Sequence, residues 1–271
     1  MAIRMIVTDM DGTLLDAKNR ISEANRAAIK EAAEKGISLA IATGRMHRSA
    51  LPYMETLGVA APIISCNGAL VKTAAGEEIF SSCIAPAAVR EVLDCMRERG
   101  WYVQLYTEDR LLFVERDRRA CAYEAASGIE GEIVGWDGLY AQISRVHKML
   151  TITSCEEETD ARAAELALMV KHGVNVVRSK EKYIDIMAAG VSKAASIERL
   201  AAKCGVEMKD VLALGDSDND SEMLAAAGVG VAMSTGTAAA KQAADFLAAN
   251  EAADGVARAV HAYALAGIKE A

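Results

Sequence analysis

Short apolar runs alternate with amphipathic stretches along both ends of the chain. Residues 3–8 form an apolar run with the character of a buried parallel strand. Ser22 is placed as the N-cap of a helix through about Lys35, which Gly36 ends. Residues 37–42 form a second apolar run, closed by Thr43-Gly44-Arg45. A helical pattern then reaches Leu57, shortened or kinked by Pro52, and residues 62–66 give a third short strand. Strand, helix, strand, helix, strand is the pattern of a doubly wound parallel sheet.

The texture changes after Gly68. Residues 69–72 and 78–82 flank a Thr-Ala-Ala-Gly turn as a hairpin, and Pro86 opens a helix to about Arg99. Strands are expected at 101–106 and 111–115, around a Glu-Asp-Arg turn, followed by a helix near 118–126. Residues 127–144 carry no clear pattern. A strand at 148–154, a helix at 156–171 and a strand pair at 174–178 and 182–187 complete this α+β block. It holds both tryptophans and most of the tyrosines, so it should have its own aromatic core. The first texture returns with helices at 192–203, 221–227, 237–244 and 255–265 and strands at 211–215, 229–233 and 246–247. The expected organisation is a parallel α/β core of residues 1–82 and 189–271, with residues 83–188 inserted.

Composition narrows the function classes. With 271 residues, 52% of them hydrophobic, a sizeable core is possible. A net charge of −8 argues against a nucleic-acid or anionic-membrane surface. No stretch reaches the roughly 20 apolar residues that a membrane span needs. Six scattered cysteines, without CxxC or zinc spacing, read as reduced, buried small hydrophobes. With no signal-peptide pattern ahead of the first strand, the expected compartment is the cytoplasm.

The chemistry gathers at strand ends, where open α/β sheets bind ligands. Asp9 and Asp11 sit two residues apart after the first strand, so strand alternation puts both carboxylates on one side. Like charges so close repel unless a cation intervenes. Thr43-Gly44 ends the second strand, Lys193 starts a helix, and Gly215-Asp216-Ser217-Asp218-Asn219-Asp220 follows a late strand. Phosphoryl transfer through an aspartyl-phosphate fits this set. A hard divalent cation on carboxylate oxygens of Asp9 and Asp216, with the Asp11 carbonyl as a third ligand, removes the repulsion between nucleophile and phosphate. A threonine hydroxyl, backbone amides and a lysine neutralise the transferring oxygens. Asp11 is placed to protonate the leaving alkoxide and then deprotonate water.

Across nearly its whole length the chain resembles the haloacid dehalogenase superfamily, and within it the Cof-type phosphatases with a large α/β cap. The matching motifs are Asp-Met-Asp-Gly-Thr-Leu-Leu, Ala-Thr-Gly-Arg, Gly-Val-Ser-Lys and Gly-Asp-Ser-Asp-Asn-Asp. Ser65-Cys66-Asn67-Gly68-Ala69 and Met223-Leu224 are also similar. The resemblance implies Asp9 as nucleophile and Asp11 as acid/base. It puts Met10, Thr43, Gly44, Lys193 and Asn219 at the phosphate, and Asp9, Asp11, Asp216 and Asp220 at Mg2+. Asp220 is open between direct ligand and N-cap or supporting residue, and Asp218 reads as a solvent or capping group. Two departures stand out: Ala194 where the family often has Gly, and Ser234-Thr235-Gly236 where it often has Gly-Asn-Ala.

The implied function is a Mg2+-dependent phosphatase of a small phosphorylated metabolite, as monomer or homodimer, with cap closure excluding water. The rivals are a phosphomutase, with Arg116, Arg118, Arg119 and Arg145 as candidates for a second phosphate, and a non-catalytic sugar-phosphate binder. Arg45 reads as a partner for a local acid before a substrate contact, and His47 as a solvated helix residue. His147, His172 and His261 lack ligand spacing. Trp101, Tyr102, Tyr106 and Phe113 read as core of the inserted block.

Overall fold

The computed structural model describes residues 2–169, 173–250 and 253–266. The chain divides into two compact units, one of Met1–Gly44, Ala50–Ile79 and Ser192–Ala271, the other of Arg45–Ser49 and Phe80–Val191.

The first unit opens with β1 (Met5–Thr8), α1 (Glu23–Glu34), β2 (Ser38–Ala42), α2 (His47–Leu57), β3 (Ile63–Ser65), β4 (Leu70–Lys72) and β5 (Glu78–Ser81). Ser22 caps α1 by accepting the Asn25 amide. The second unit contains α3 (Pro86–Arg99), β6 (Gln104–Thr107), β7 (Arg110–Phe113), α4 (Arg118–Ser127), β8 (Glu132–Ile133), α5 (Gly135–Ala141), β9 (Val146–Ile152), α6 (Glu156–Met169), β10 (Val174–Lys180) and β11 (Tyr183–Ala188). The chain then returns to the first unit with α7 (Lys193–Lys203), β12 (Val211–Gly215), α8 (Ser221–Ala226), β13 (Val229–Met233), α9 (Ala238–Ala243), β14 (Phe246–Ala248) and α10 (Gly255–Ala259), which continues as a π-helical turn over Val260–Leu265.

The first unit's sheet has the order β14-β13-β12-β1-β2-β3-β4-β5. From β14 to β3 the pairs are parallel, and β4 runs antiparallel to β3. β1 is central, with Met5 beside Val211 on one flank and Ser38 on the other. All four residues of β1 are buried, as a strand covered on both faces requires. Ile6, Ile41, Leu212, Leu214 and Val231 pack with Ile29 of α1 and Val256 of α10 in one continuous core. Strand order reverses at β1, so its carboxyl end is the topological switch point at which such sheets bind ligands.

The second unit carries a six-stranded sheet, β10-β11-β9-β6-β7-β8, antiparallel except for β7–β8. Its core joins Val89, Val92 and Met96 of α3 to Leu105, Leu112, Met149 and Ile186 of the sheet. Tyr102, Tyr106 and Phe113 are buried, and Trp101 is half-buried.

Several expectations are corrected. Residues 127–144 contain a short strand and a helix, β8 and α5, each too short for its periodicity to register. Among the cysteines only Cys66 and Cys95 are buried, while Cys121, Cys155 and Cys204 are exposed. His47, expected in solvent, is 2% exposed; it is the first residue of α2, and its flanking Met46 is buried too. His147 is buried on β9, and His261 is exposed. Residues 170–171 at the expected helix end, and His172, lie outside the described residues. No helix among the described residues is long and apolar enough to cross a membrane.

Candidate active site

β1 delivers its chain to the sheet's edge with the last ladder bond from the Asp9 amide to the Leu214 carbonyl, 2.8 Å. Asp9 is therefore held against the end of β12, and it is only 4% exposed. Gly12 follows with φ +82°, a left-handed conformation that L side chains rarely adopt. A Cβ there would collide with Oδ2 of Asp216. The glycine thus lets the turn after β1 lie against the acidic loop after β12.

That loop is organised by Asp220. Its Oδ2 accepts the amides of Asp216 (3.0 Å) and Ser217 (2.9 Å), completing a capping box with Ser217. Its Oδ1 accepts from Lys193 Nζ at 2.6 Å. The same ammonium donates to Asp9 Oδ1, also at 2.6 Å. Lys193 is 2% exposed, and α7 starts at this residue because Ser192 caps it, accepting the Ala195 amide. A buried lysine is tolerable only when its donors are met by charge, and here two carboxylates meet them.

Asp216 lies half-buried beside this pair. Its Oδ1 accepts from Thr13 Oγ1 (2.7 Å) and its Oδ2 from Ser217 Oγ (3.1 Å). Oxygens of Asp9, Asp216 and Asp220 all lie within 4.8 Å of one another. The carboxylates outnumber the one ammonium, and the electrostatics register the excess. Burial pushes the Asp9 carboxyl well up; Lys193 opposes that rise, while Asp220, Asp216 and Asp11 add to it. Burial likewise lifts Asp216 to about 6, against the hydrogen bonds from Thr13 and Ser217. Lys193 is held firmly protonated, because Asp220 and Asp9 outweigh its own burial.

The other expected residues fall as follows. Thr43 is fully buried after β2, its amide bonded to Ile64 O and its carbonyl to the Asn67 amide. Asn67 Oδ1 accepts from Asn219 Nδ2 at 2.9 Å. A Cβ on Gly44 would sit 3.0 Å from the same Asn67 oxygen. Thr43, Gly44 and Asn219 are therefore gathered through Asn67. Asp11 is half-buried and close enough to act on Asp9, but it is not one of the three clustered carboxylates. The Met10 side chain is buried in the core, and its carbonyl accepts the Leu15 amide. Asp218 is exposed. The divergent Ser234-Thr235-Gly236 segment adjoins the site: the amide of the next residue, Thr237, donates to Asp216 O, and Asp216 O leaves no room for a Cβ on Gly236.

Neither the role of Thr13 nor the link from Asn67 to Asn219 is legible in the sequence. Thr13 lay inside the first quoted motif, and Asn67 inside Ser-Cys-Asn-Gly-Ala. What was invisible is the long-range pairing, 203 residues for Thr13–Asp216 and 152 for Asn67–Asn219.

This fold and site define a class. Residues 6–260 match the model of the haloacid dehalogenase-like hydrolases, and the chain belongs to that family. It is 27% identical over 264 residues to the 5-amino-6-(5-phospho-D-ribitylamino)uracil phosphatase YcsE of Bacillus subtilis, covering 97% of this chain and 96% of that one. It is 29% identical over 270 residues to the chloroplastic endoribonuclease YBEY of Arabidopsis thaliana, covering 96% of this chain but 46% of that protein, so this chain spans about half its length. A haloacid dehalogenase-like hydrolase from Bacteroides thetaiotaomicron superposes with TM-score 0.84 at 27% identity, over 96% of this chain and 99% of that one. The chain is an enzyme of a hydrolase family, with phosphatases among its relatives over the full length.

Proposed function

We propose that the protein is a Mg2+-dependent phosphatase that hydrolyses a small phosphorylated metabolite through an aspartyl-phosphate on Asp9. The carrying observation is the buried Asp9–Lys193–Asp220 bridge with Asp216 beside it. Asp9 is the one carboxylate of this cluster that follows directly on the central strand, at the switch point.

A divalent cation suits this donor set. The ligands are all hard oxygens, three carboxylates share one ammonium, and burial, with Asp220 adding to it, raises Asp216 to about 6. Asp9 and Asp216 would hold the ion, with the backbone carbonyl of Asp11, and Asp220 supports the site through the Asp216 and Ser217 amides and Lys193. Mg2+ so bound supplies charge neutralisation between the nucleophile and the phosphate.

The chain's own residues do the rest. Lys193 fixes the Asp9 carboxylate through Oδ1, leaving Oδ2 to attack phosphorus in line with the ester oxygen. Thr43, the Gly44 backbone, Asn219 and the Met10 backbone receive the phosphoryl oxygens, with Asn67 orienting Asn219. Asp11, outside the ion-paired trio, carries the proton: it gives one to the leaving alkoxide and takes one from the water that attacks the aspartyl-phosphate. The second unit, inserted between β5 and α7, serves as the cap.

No observation favours a mutase. Arg116 is bonded to Glu124, Arg119 to Asp117 and Arg145 to Glu108, so three of the four candidate arginines already serve local acids. The test is hydrolysis of a panel of phosphorylated metabolites with Mg2+, with analysis of every product. Phosphate release that disappears in Asp9→Asn is the expected result. Equal background release by both proteins overturns the phosphatase reading, and an isomerised phosphate ester makes the protein a mutase.

A further inference from the structure

The chain enters the second unit at Phe80 and is pinned to that unit's sheet a few residues later. The Ile84 amide donates to the carbonyl of Val146, the first residue of β9, at 2.8 Å. Ile84 and Val146 both belong to the core of the unit. The residues beside them, Cys83 and His147, are thereby brought together: Sγ of Cys83 lies 3.5 Å from Nδ1 of His147.

A second feature aims the histidine. Along β6 and β9, Gln104 faces Leu150, Leu105 faces Met149 and Tyr106 faces Lys148, but Thr107 faces Val146. His147 is therefore the extra residue of a β-bulge, a device that turns a side chain away from the direction regular pleating would give it. The residue is 2% exposed, so bulk water does not compete for its ring. Cys83 is half-buried and stays within reach of a small solute. The thiol is thus accessible while its partner is fixed. Cys121, Cys155 and Cys204 are more exposed than Cys83, whereas Cys66 and Cys95 are buried.

We propose that Cys83 and His147 form a nucleophilic dyad, and that Cys83 is a site of reversible modification by low-molecular-weight disulfides. Nδ1 of His147 takes the thiol proton, and the thiolate attacks one sulfur of the disulfide. The bond from Cys83 to that sulfur forms as the original S–S bond breaks. Cys83 is oxidised, the departing sulfur is reduced, and the departing thiolate takes up the proton held by His147. The product is a mixed disulfide, which excess thiol reverses by the same exchange. The thiolate is the reactive form of cysteine, and a histidine partner is one of the surroundings that raise its share. The half-buried position admits a small disulfide and hinders a protein-borne one. The pair lies wholly within the second unit, and its chemistry is independent of the phosphatase reading.

The exposed cysteines serve as controls within the same molecule. The whole protein, freed of reductant, is treated at pH 6 with 4,4′-dithiodipyridine, and the rate at each cysteine is followed by mass spectrometry of its peptides. An ordinary thiol is less than about 1% thiolate at that pH. Accessibility alone would put Cys121, Cys155 and Cys204 first. Cys83 is expected to lead all three by at least about tenfold, its larger thiolate share outweighing the lower nucleophilicity of a more acidic thiol. Dithiothreitol should restore the unmodified mass. His147→Gln and His147→Asn should each abolish the lead of Cys83 and leave the three exposed cysteines at their wild-type rates. An exposed cysteine that reacts as fast as Cys83 in the wild-type protein overturns the proposal without recourse to any variant. A lead that survives in either variant overturns it as well.

Discussion

Replacing Asp216 by asparagine should make the metal-free protein more stable while removing its function. The carboxyl is raised from an unfolded value of 3.8 to about 6, chiefly by burial. A raised acid binds its proton more tightly when folded, so the folded state is penalised once the group ionises. The penalty is absent below about pH 4, grows between about 4 and 6, and is complete above that. Two pKa units at about 1.36 kcal/mol each amount to about 3 kcal/mol at pH 8. Asparagine keeps the shape and an oxygen for the Thr13 hydroxyl, and it carries no charge to desolvate. Thermal unfolding in EDTA should show the variant ahead by on the order of 5 °C at pH 8, with the gap closing at pH 4. Mg2+ should raise the wild-type transition and leave that of the variant in place. A gap independent of pH, or a variant less stable than wild type at pH 8, would refute the view that Asp216 is held ionised at a cost which a cation relieves.

Other perturbations have equally definite outcomes. Asp9→Asn should reduce phosphate release to background while metal-free stability stays level or rises, because Asp9 too is raised by burial; an active variant excludes Asp9 as nucleophile. Lys193→Met strips the only ammonium from between Asp9 and Asp220, and should cost roughly 3–5 kcal/mol in urea unfolding of metal-free protein. A loss below about 1 kcal/mol would mean that the two acids had simply taken up protons. Gly12→Ala forces a Cβ into the Asp216 carboxylate at a left-handed φ, and should weaken Mg2+ dependence and kcat together. Asn67→Ala should raise KM for any phosphate ester more than it changes overall stability, since it frees Asn219; an unchanged KM removes Asn67 from the site.

Many elements of both units could be read closely because each is local. α3, β12 and β13 occupy the spans that their apolar pattern and caps delimit, Pro86 to Arg99 among them. The four motifs named their chemistry for the same reason, with each fragment contiguous. What the sequence withheld is everything that depends on who sits opposite. Lys193 on a capped helix start looks like a solvated residue until Asp9 and Asp220 close around it. Asp220 divides its two oxygens between a lysine and a pair of amides, a division that no spacing encodes. His47 and the cysteines were misread because burial of a single small or ambivalent side chain is set by its neighbours in space. β8 and α5, of two and seven residues, are shorter than the windows in which periodicity can be detected.

The position of β1 at the centre of its sheet has a consequence for how the protein is made. The strand leaves the ribosome well ahead of one of its two neighbours, β12, which begins at Val211. Lys193, Asp216 and Asp220 also come late. Until β12 has been made, β1 has one open flank, and Asp9 lacks Asp216 and Asp220 from its surroundings. Non-local pairing of this kind folds slowly and leaves an unpaired strand edge exposed meanwhile. A truncated product therefore carries the motif without the catalyst, and chaperone demand should fall on the interval before β12 emerges.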